Sequence, residues 1–179
     1  STVAFIEAGA RANGWRVGAY TSPHLLRYNE RIRIDGQEAT DEAIVAAFER
    51  IDAARGDISL SYFEFGTLAA LLLMAHADLD LAVLEVGLGG RLDAVNIVDA
   101  DVAVVTTVAL DHQDWLGDTR AAIAREKAAI GRPGRPLIVG ERDAEPALLE
   151  TARMIGAQVC RLGIDFDARR DGGEAWYFQ

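Results

Sequence analysis

Four residues far apart in the sequence are of types that together can hold a divalent cation against phosphate oxygens: Ser22, Glu85, His112 and Lys127. Ser22 lies in Thr21-Ser22-Pro23-His24-Leu25, just past an apolar run over residues 15–20. Glu85 closes a second apolar run over 81–86. His112, in Leu110-Asp111-His112-Gln113-Asp114-Trp115-Leu116-Gly117, follows a third over 102–107. In open parallel sheets ligands bind beyond the carboxyl ends of the strands, which is where all three would fall. Hydroxyl, carboxylate and imidazole are donors of the kind that hold Mg²⁺ or Mn²⁺ near phosphates. Lys127, in Arg125-Glu126-Lys127-Ala128-Ala129-Ile130, falls on the helical stretch after the third run. A lysine there, beside a histidine at the mouth of a strand, is hard to explain as packing.

Each residue also has a plainer reading. A Ser-Pro pair after a strand often only makes a turn. A lone histidine can be a hydrogen-bonded structural residue. Glu85 inside an apolar run costs free energy unless it finds a partner. His24 sits in a loop, where it would orient its neighbours, and His76 at a helix end would serve the helix dipole. The cluster Gly87-Leu88-Gly89-Gly90 lacks the third glycine of the dinucleotide fingerprint, because Leu92 stands at that place, so a nicotinamide cofactor is disfavoured. Arg91 and Asp93 are polar groups on a tight loop. Arg91 could meet an anion and Asp93 accept two ring N–H bonds, or the two could pair with each other.

The elements that must position these residues alternate. Val3, Phe5, Ile6 and Ala10 recur at roughly helical spacing, and Asn13-Gly14 ends that helix. Residues 15–20 read as a strand, and 31–34 as a short one turning at Asp35-Gly36. Thr40 is a fitting N-cap for a helix to about Arg55, with Asp41 and Glu42 suited to the dipole. A further helix is expected over about 63–77. The run 81–86 reads as a strand covered on both faces. Strands at 102–107, 137–139 and 158–162 alternate with helices at 119–130 and 146–155. This order predicts an α/β fold with a mostly parallel sheet flanked by helices. The tail ends on Trp176, Tyr177 and Phe178, which reads as part of a hairpin near a domain boundary.

The chain has 179 residues, half of them apolar, which suits one α/β domain with a sizeable core. A formal charge of −10 argues against a nucleic-acid partner. The single cysteine, Cys160, cannot close an internal disulfide and reads as a small core residue. No apolar stretch approaches the ~20 residues of a membrane span, and no signal peptide is visible, so a cytoplasmic location is expected. The front and back of the sequence both read as cut.

Five segments carry a resemblance to a known family: YTSPHLLRYNERI (20–32), FEFGTLAALLLM (63–74), LEVGLGGRLDAVNIV (84–98), LDHQDWLG (110–117) and REKAAI (125–130). In order and spacing they resemble the bifunctional dihydrofolate synthase/folylpolyglutamate synthases of the Mur ligase superfamily, from Ser1 to about Val139. The resemblance implies the P-loop NTPase-like central domain of Mur ligases, with 1–179 a single ATPase-like domain that lacks its phosphate loop and the C-terminal ligase domain. Ser1 would be the end of the ATP-binding loop.

It implies an ATP-dependent ligase that adds L-glutamate to dihydropteroate, to a folylpolyglutamate, or to both, through an acyl phosphate. Two Mg²⁺ sites would be held by Ser22, Glu85 and His112, and by Lys127 as a carbamate, making Lys127 and His112 catalytic. Phe63, Glu64 and Asp93 match the region that recognises the pterin. Two positions depart mildly: Ala129, where the family often has Gly, and Val95, where it often has Thr. The implied parent is a cytoplasmic monomer, and residues 1–179 alone are expected to be inactive. Two rivals stay open: a cell-wall ligase acting on a UDP-muramyl substrate, and a non-catalytic pterin-binding domain.

Overall fold

The structure is a computed structural model that describes residues 2–110, 116–170 and 176–179, with Trp176 by its backbone alone. The chain forms two compact units, Ser1–Gly87 and Leu88–Gln179.

In the first unit, helix α1 (Thr2–Ala12) stops where Gly14 takes a φ of 83°. The N–H groups of Asn13 and Gly14 turn back to the carbonyls of Ala10 and Arg11. Strand β1 (Val17–Tyr20) is buried at every position. It pairs antiparallel with β2 (Ile32–Ile34), which turns into β3 (Gln37–Glu38). Asp35 and Gly36 take φ of 50° and 76°, two successive positive values, the backbone of a tight two-residue hairpin turn. On its other side β1 pairs parallel with β4 (Leu81–Leu84), in the register Val17↔Leu81 to Tyr20↔Leu84.

The order is β3-β2-β1-β4, so only one of three pairings is parallel. The expected α/β class is met by small sheets, of which this first one is mixed rather than mostly parallel. A two-residue turn can join only antiparallel strands, since a parallel pair needs a long crossover.

Val3 and Ala10 of α1 pack on Val17, Ala19, Val83 and Leu81, while Phe5 faces solvent at 82% exposure. Strand β4 is not covered on both faces: Val83 is buried but Ala82 is exposed. Among the described residues β4 is the outer strand of its sheet, which accounts for this. Helix α2 (Asp41–Arg55) is capped by Thr40, whose Oγ1 accepts the Ala43 N–H at 3.2 Å. Helix α3 (Tyr62–Ala75) packs beside it, with Phe48 and Phe65 edge to face at 5.7 Å.

The second unit carries an all-parallel sheet in the order β5-β6-β7, made of β5 (Ala103–Val105), β6 (Pro136–Val139) and β7 (Gln158–Arg161). Helix α4 (Arg120–Ala128) begins at Thr119, whose Oγ1 takes the Ala122 N–H at 3.1 Å. Helix α5 (Pro146–Ile155) starts on proline and ends at Gly156 in the left-handed region. Val105, Ile123, Ala124, Leu137, Val139, Leu148 and Ala152 form its core. Cys160 is half-buried in β7. The tail forms the expected hairpin, β8 (Ala168–Arg170) against β9 (Trp176–Phe178). The protein is thus mixed α/β with small sheets. No described helix is long and apolar enough to cross a membrane.

Candidate functional site

Parallel pairing of β1 and β4 brings Ser22 and Glu85 to one edge of the first sheet. Because Tyr20 and Leu84 stand in register, the residues after them leave the sheet side by side, and the Glu85 N–H continues the ladder to the Tyr20 carbonyl at 2.9 Å. The Ser22 N–H then donates to Glu85 Oε2 at 3.2 Å. This bond fixes one carboxylate oxygen beside the Ser22 turn. It also supplies the partner that a half-buried glutamate after an apolar strand requires. A hydroxyl and a carboxylate are hard oxygen donors, and a pair of them suits Mg²⁺, which keeps waters and phosphate oxygens in its shell. Among the described residues no group of three or more His, Cys, Asp or Glu is placed to hold a metal ion alone.

The loop after Ser22 is built by two residues to which the sequence alone assigned no role. Glu30 accepts the N–H groups of Leu25, Leu26 and Arg27 at 2.7, 2.8 and 2.7 Å. Those bonds, Leu25 first, hold its carboxyl below the ordinary range. Arg31, 8% exposed, donates from Nε to His24 Nδ1 at 2.9 Å and lies 5.5 Å from the ring centres of both Tyr28 and Tyr62. His24 therefore takes the orienting part expected of it. Burial, helped by Tyr20 and Tyr62, pushes the Tyr28 hydroxyl up to about 12. His76, at the end of α3, lies with Nδ1 2.7 Å from the Leu72 carbonyl, serving the helix terminus as expected.

The residues matched to pterin recognition fall in different settings. Phe63 packs against Gly87: a Cβ added there would stand 2.6 Å from Phe63 Cζ, so the glycine lets the backbone lie close to the far end of the ring. Glu64 is the reciprocal partner of the Ser61 cap, accepting the Ser61 N–H at 2.6 Å while its own N–H donates to Ser61 Oγ at 3.2 Å. The Ser61 N–H, then its hydroxyl, lower the Glu64 carboxyl. Asp93, in the second unit, accepts the Leu88 N–H on one oxygen and the Val95 N–H on the other, each at 2.9 Å. Arg91 pairs with Glu126, Nε to Oε1 at 2.9 Å.

Lys127 lies in the last turn of α4, half-buried, and among the described residues no hydrogen bond or ion pair to its side chain is found. His112 and Ser1, the other expected site residues, lie outside the described residues. Val95 is buried in the 3₁₀ turn Ala94–Ile97 that Asp93 caps.

The family described as Mur ligase middle domain matches residues 43–173. The chain belongs to that family. It is 54% identical over 167 residues to the dihydrofolate synthase/folylpolyglutamate synthase of Escherichia coli K12, an alignment covering 93% of this chain and 40% of that protein. The structure of E. coli FolC in complex with DHPP and ADP superposes with a TM-score of 0.97 at 52% identity, over 99% of this chain and 43% of that one. A bifunctional folylpolyglutamate synthase/dihydrofolate synthase with Mn, AMPPNP and L-glutamate bound gives 0.91 at 52%, over 97% and 42%. The resemblance read from the five segments is borne out. The chain spans about two fifths of the length of the E. coli enzyme and of its Haemophilus influenzae counterpart.

Proposed function

We propose that this chain serves an ATP-dependent ligase that adds L-glutamate to dihydropteroate, to folylpolyglutamates, or to both, and that residues 1–179 belong to one ATPase-like central domain. The observation that carries the reading is the Ser22–Glu85 contact at the carboxyl edge of β1 and β4. The Glu85 carboxylate is held there by the backbone of the residue that carries the Ser22 hydroxyl, where this kind of sheet binds ligands. Relatives at about half identity, one solved with ADP and DHPP and one with Mn, AMPPNP and L-glutamate, support the chemistry.

In the proposed reaction ATP phosphorylates the substrate carboxylate, the glutamate amine displaces phosphate from the acyl phosphate, and an amide remains. Ser22 and Glu85 would hold one Mg²⁺, and His112 and Lys127 a second. Bound divalent cations would neutralise charge on the transferring phosphoryl group. The Ser22 N–H keeps the Glu85 carboxylate aimed. Lys127 would act as a carbamate: its neutral amine adds to CO₂, an N–C bond forms and a proton leaves. The product is an anion with two oxygens where an ammonium would repel a cation. Phe63 offers a flat apolar face to a pterin ring, held by its contact with Gly87. Asp93 and Glu64 would supply carboxylate oxygens to ring N–H groups.

Glu85→Gln in the full-length protein keeps shape and removes charge. Turnover with ATP, dihydropteroate and glutamate should fall roughly 10²-fold or more, as when a charge-stabilising group is lost, with the circular dichroism spectrum unchanged. Turnover within twofold of the parent would refute the site. Ligation of an amino acid to a UDP-muramyl substrate, but not to dihydropteroate, would refute the substrate class.

A further inference from the structure

Helix α4 stops at Ala128, so its last carbonyls need partners from outside the helix. In a continuing helix the Glu126 carbonyl would accept the Ile130 N–H. Here the Ile130 N–H turns to the Lys127 carbonyl at 3.4 Å, and the Glu126 carbonyl takes the Arg91 N–H at 3.1 Å. The glycine loop reaches this carbonyl only because residue 90 has no side chain. A Cβ on Gly90 would stand 2.3 Å from the Glu126 oxygen and 3.1 Å from Ile130 Cγ2. The Arg91 guanidinium doubles the attachment on Glu126 Oε1 at 2.9 Å.

The loop is itself tied back to the helix end. The Arg91 carbonyl accepts Asn96 Nδ2 at 3.1 Å, and Asn96 Oδ1 accepts Arg132 Nη1 at 3.1 Å. Arg132 Nη1 also donates to the carbonyls of Ile130 and Gly131. The circuit closes around the turn that carries Lys127.

We infer that Gly90, Arg91 and Glu126 form a clamp that positions Lys127 by fixing the last turn of α4. The inference rests on the reading of Lys127 as the amine that takes up CO₂. Gly90 and Arg91 are positioning residues. They act through the Glu126 backbone, and the ion pair reinforces a contact that the main chain makes.

The test uses the full-length protein with ¹³C-bicarbonate, reading the carbamate signal of Lys127 by NMR and the Mn²⁺ dissociation constant by electron paramagnetic resonance. Gly90→Ala should raise the bicarbonate needed for half-maximal carbamate and weaken Mn²⁺ about tenfold, the scale seen when the support of a metal ligand is lost. Glu126→Gln keeps the backbone acceptor and an amide oxygen, so it should stay within about threefold of the parent on the same scale. Leu148→Ala, which loosens the core of the same unit without touching the clamp, should lower Tm and move neither readout.

If Gly90→Ala does not fold, Arg91→Leu carries the test, with a shift of several-fold expected. A carbamate signal in the parent that the clamp variant keeps at the parental bicarbonate level overturns the clamp alone. So does an equal shift in Leu148→Ala. No carbamate signal in the parent overturns the reading of Lys127 and the clamp with it.

Discussion

Glu30, itself half-buried, organises residues 25–27 through three N–H bonds to one carboxylate. No burial holds that segment, since Leu25 and Leu26 are each 89% exposed. Its order therefore depends on the charge. Because the folded carboxyl titrates below its ordinary value, its stabilisation is present above the unfolded pKa and is lost as pH falls through the folded one. The amides of 25–27 should lose hydrogen-exchange protection on acidification through and below the normal glutamate range. In Glu30→Gln they should be unprotected already at neutral pH. Equal protection in parent and variant at neutral pH would show that something other than the carboxylate orders the loop. At this scale Ser22 and Glu85 were legible because a polar residue closing an apolar strand must find a partner. Glu30 was not, since its bonds run to main-chain groups that no side-chain pattern reports.

At the scale of elements, the boundaries that local chemistry fixes were readable. Thr40 marks the start of α2, and Pro146 and Gly156 mark the two ends of α5, by caps and backbone preference alone. Pairing direction was only partly readable. Asp35-Gly36 announced the β2–β3 hairpin, but nothing local states that β2 lies antiparallel on β1. The docking of α1 was also hidden. Arg33 grips Glu7 with Nη2 and Nε at 2.7 and 3.0 Å across 26 residues of sequence, and Glu7 is 7% exposed. Removing one partner of a buried pair leaves the other charge stranded, so Glu7→Ala should cost about 3–5 kcal/mol in urea unfolding. A loss below about 1 kcal/mol, the range of an exposed pair, would mean that water already screens the contact.

At the scale of the molecule, the chemistry divides between two compact units. Ser22, Glu85 and Phe63 stand in the first, and Asp93, Arg91 and Lys127 in the second. Composition and the order of elements could not reveal that division, because both units draw on the same alternation of strands and helices. The proposal that residues 1–179 act as one ATPase-like domain makes a cooperative claim that core variants can test. Leu148 is fully buried in the second unit, and Leu148→Ala should cost about 2–5 kcal/mol by loss of contact and by the cavity it leaves. If the units unfold together, that loss should lower the hydrogen-exchange protection of β1 as much as that of β6, because the slowest amides of both report the same global opening. Protection lost in β6 and kept in β1 would instead make Ser1–Gly87 and Leu88–Gln179 separate cooperative units. Glu7→Ala provides the reciprocal experiment from the first unit, and under one cooperative transition the two variants must give matching patterns.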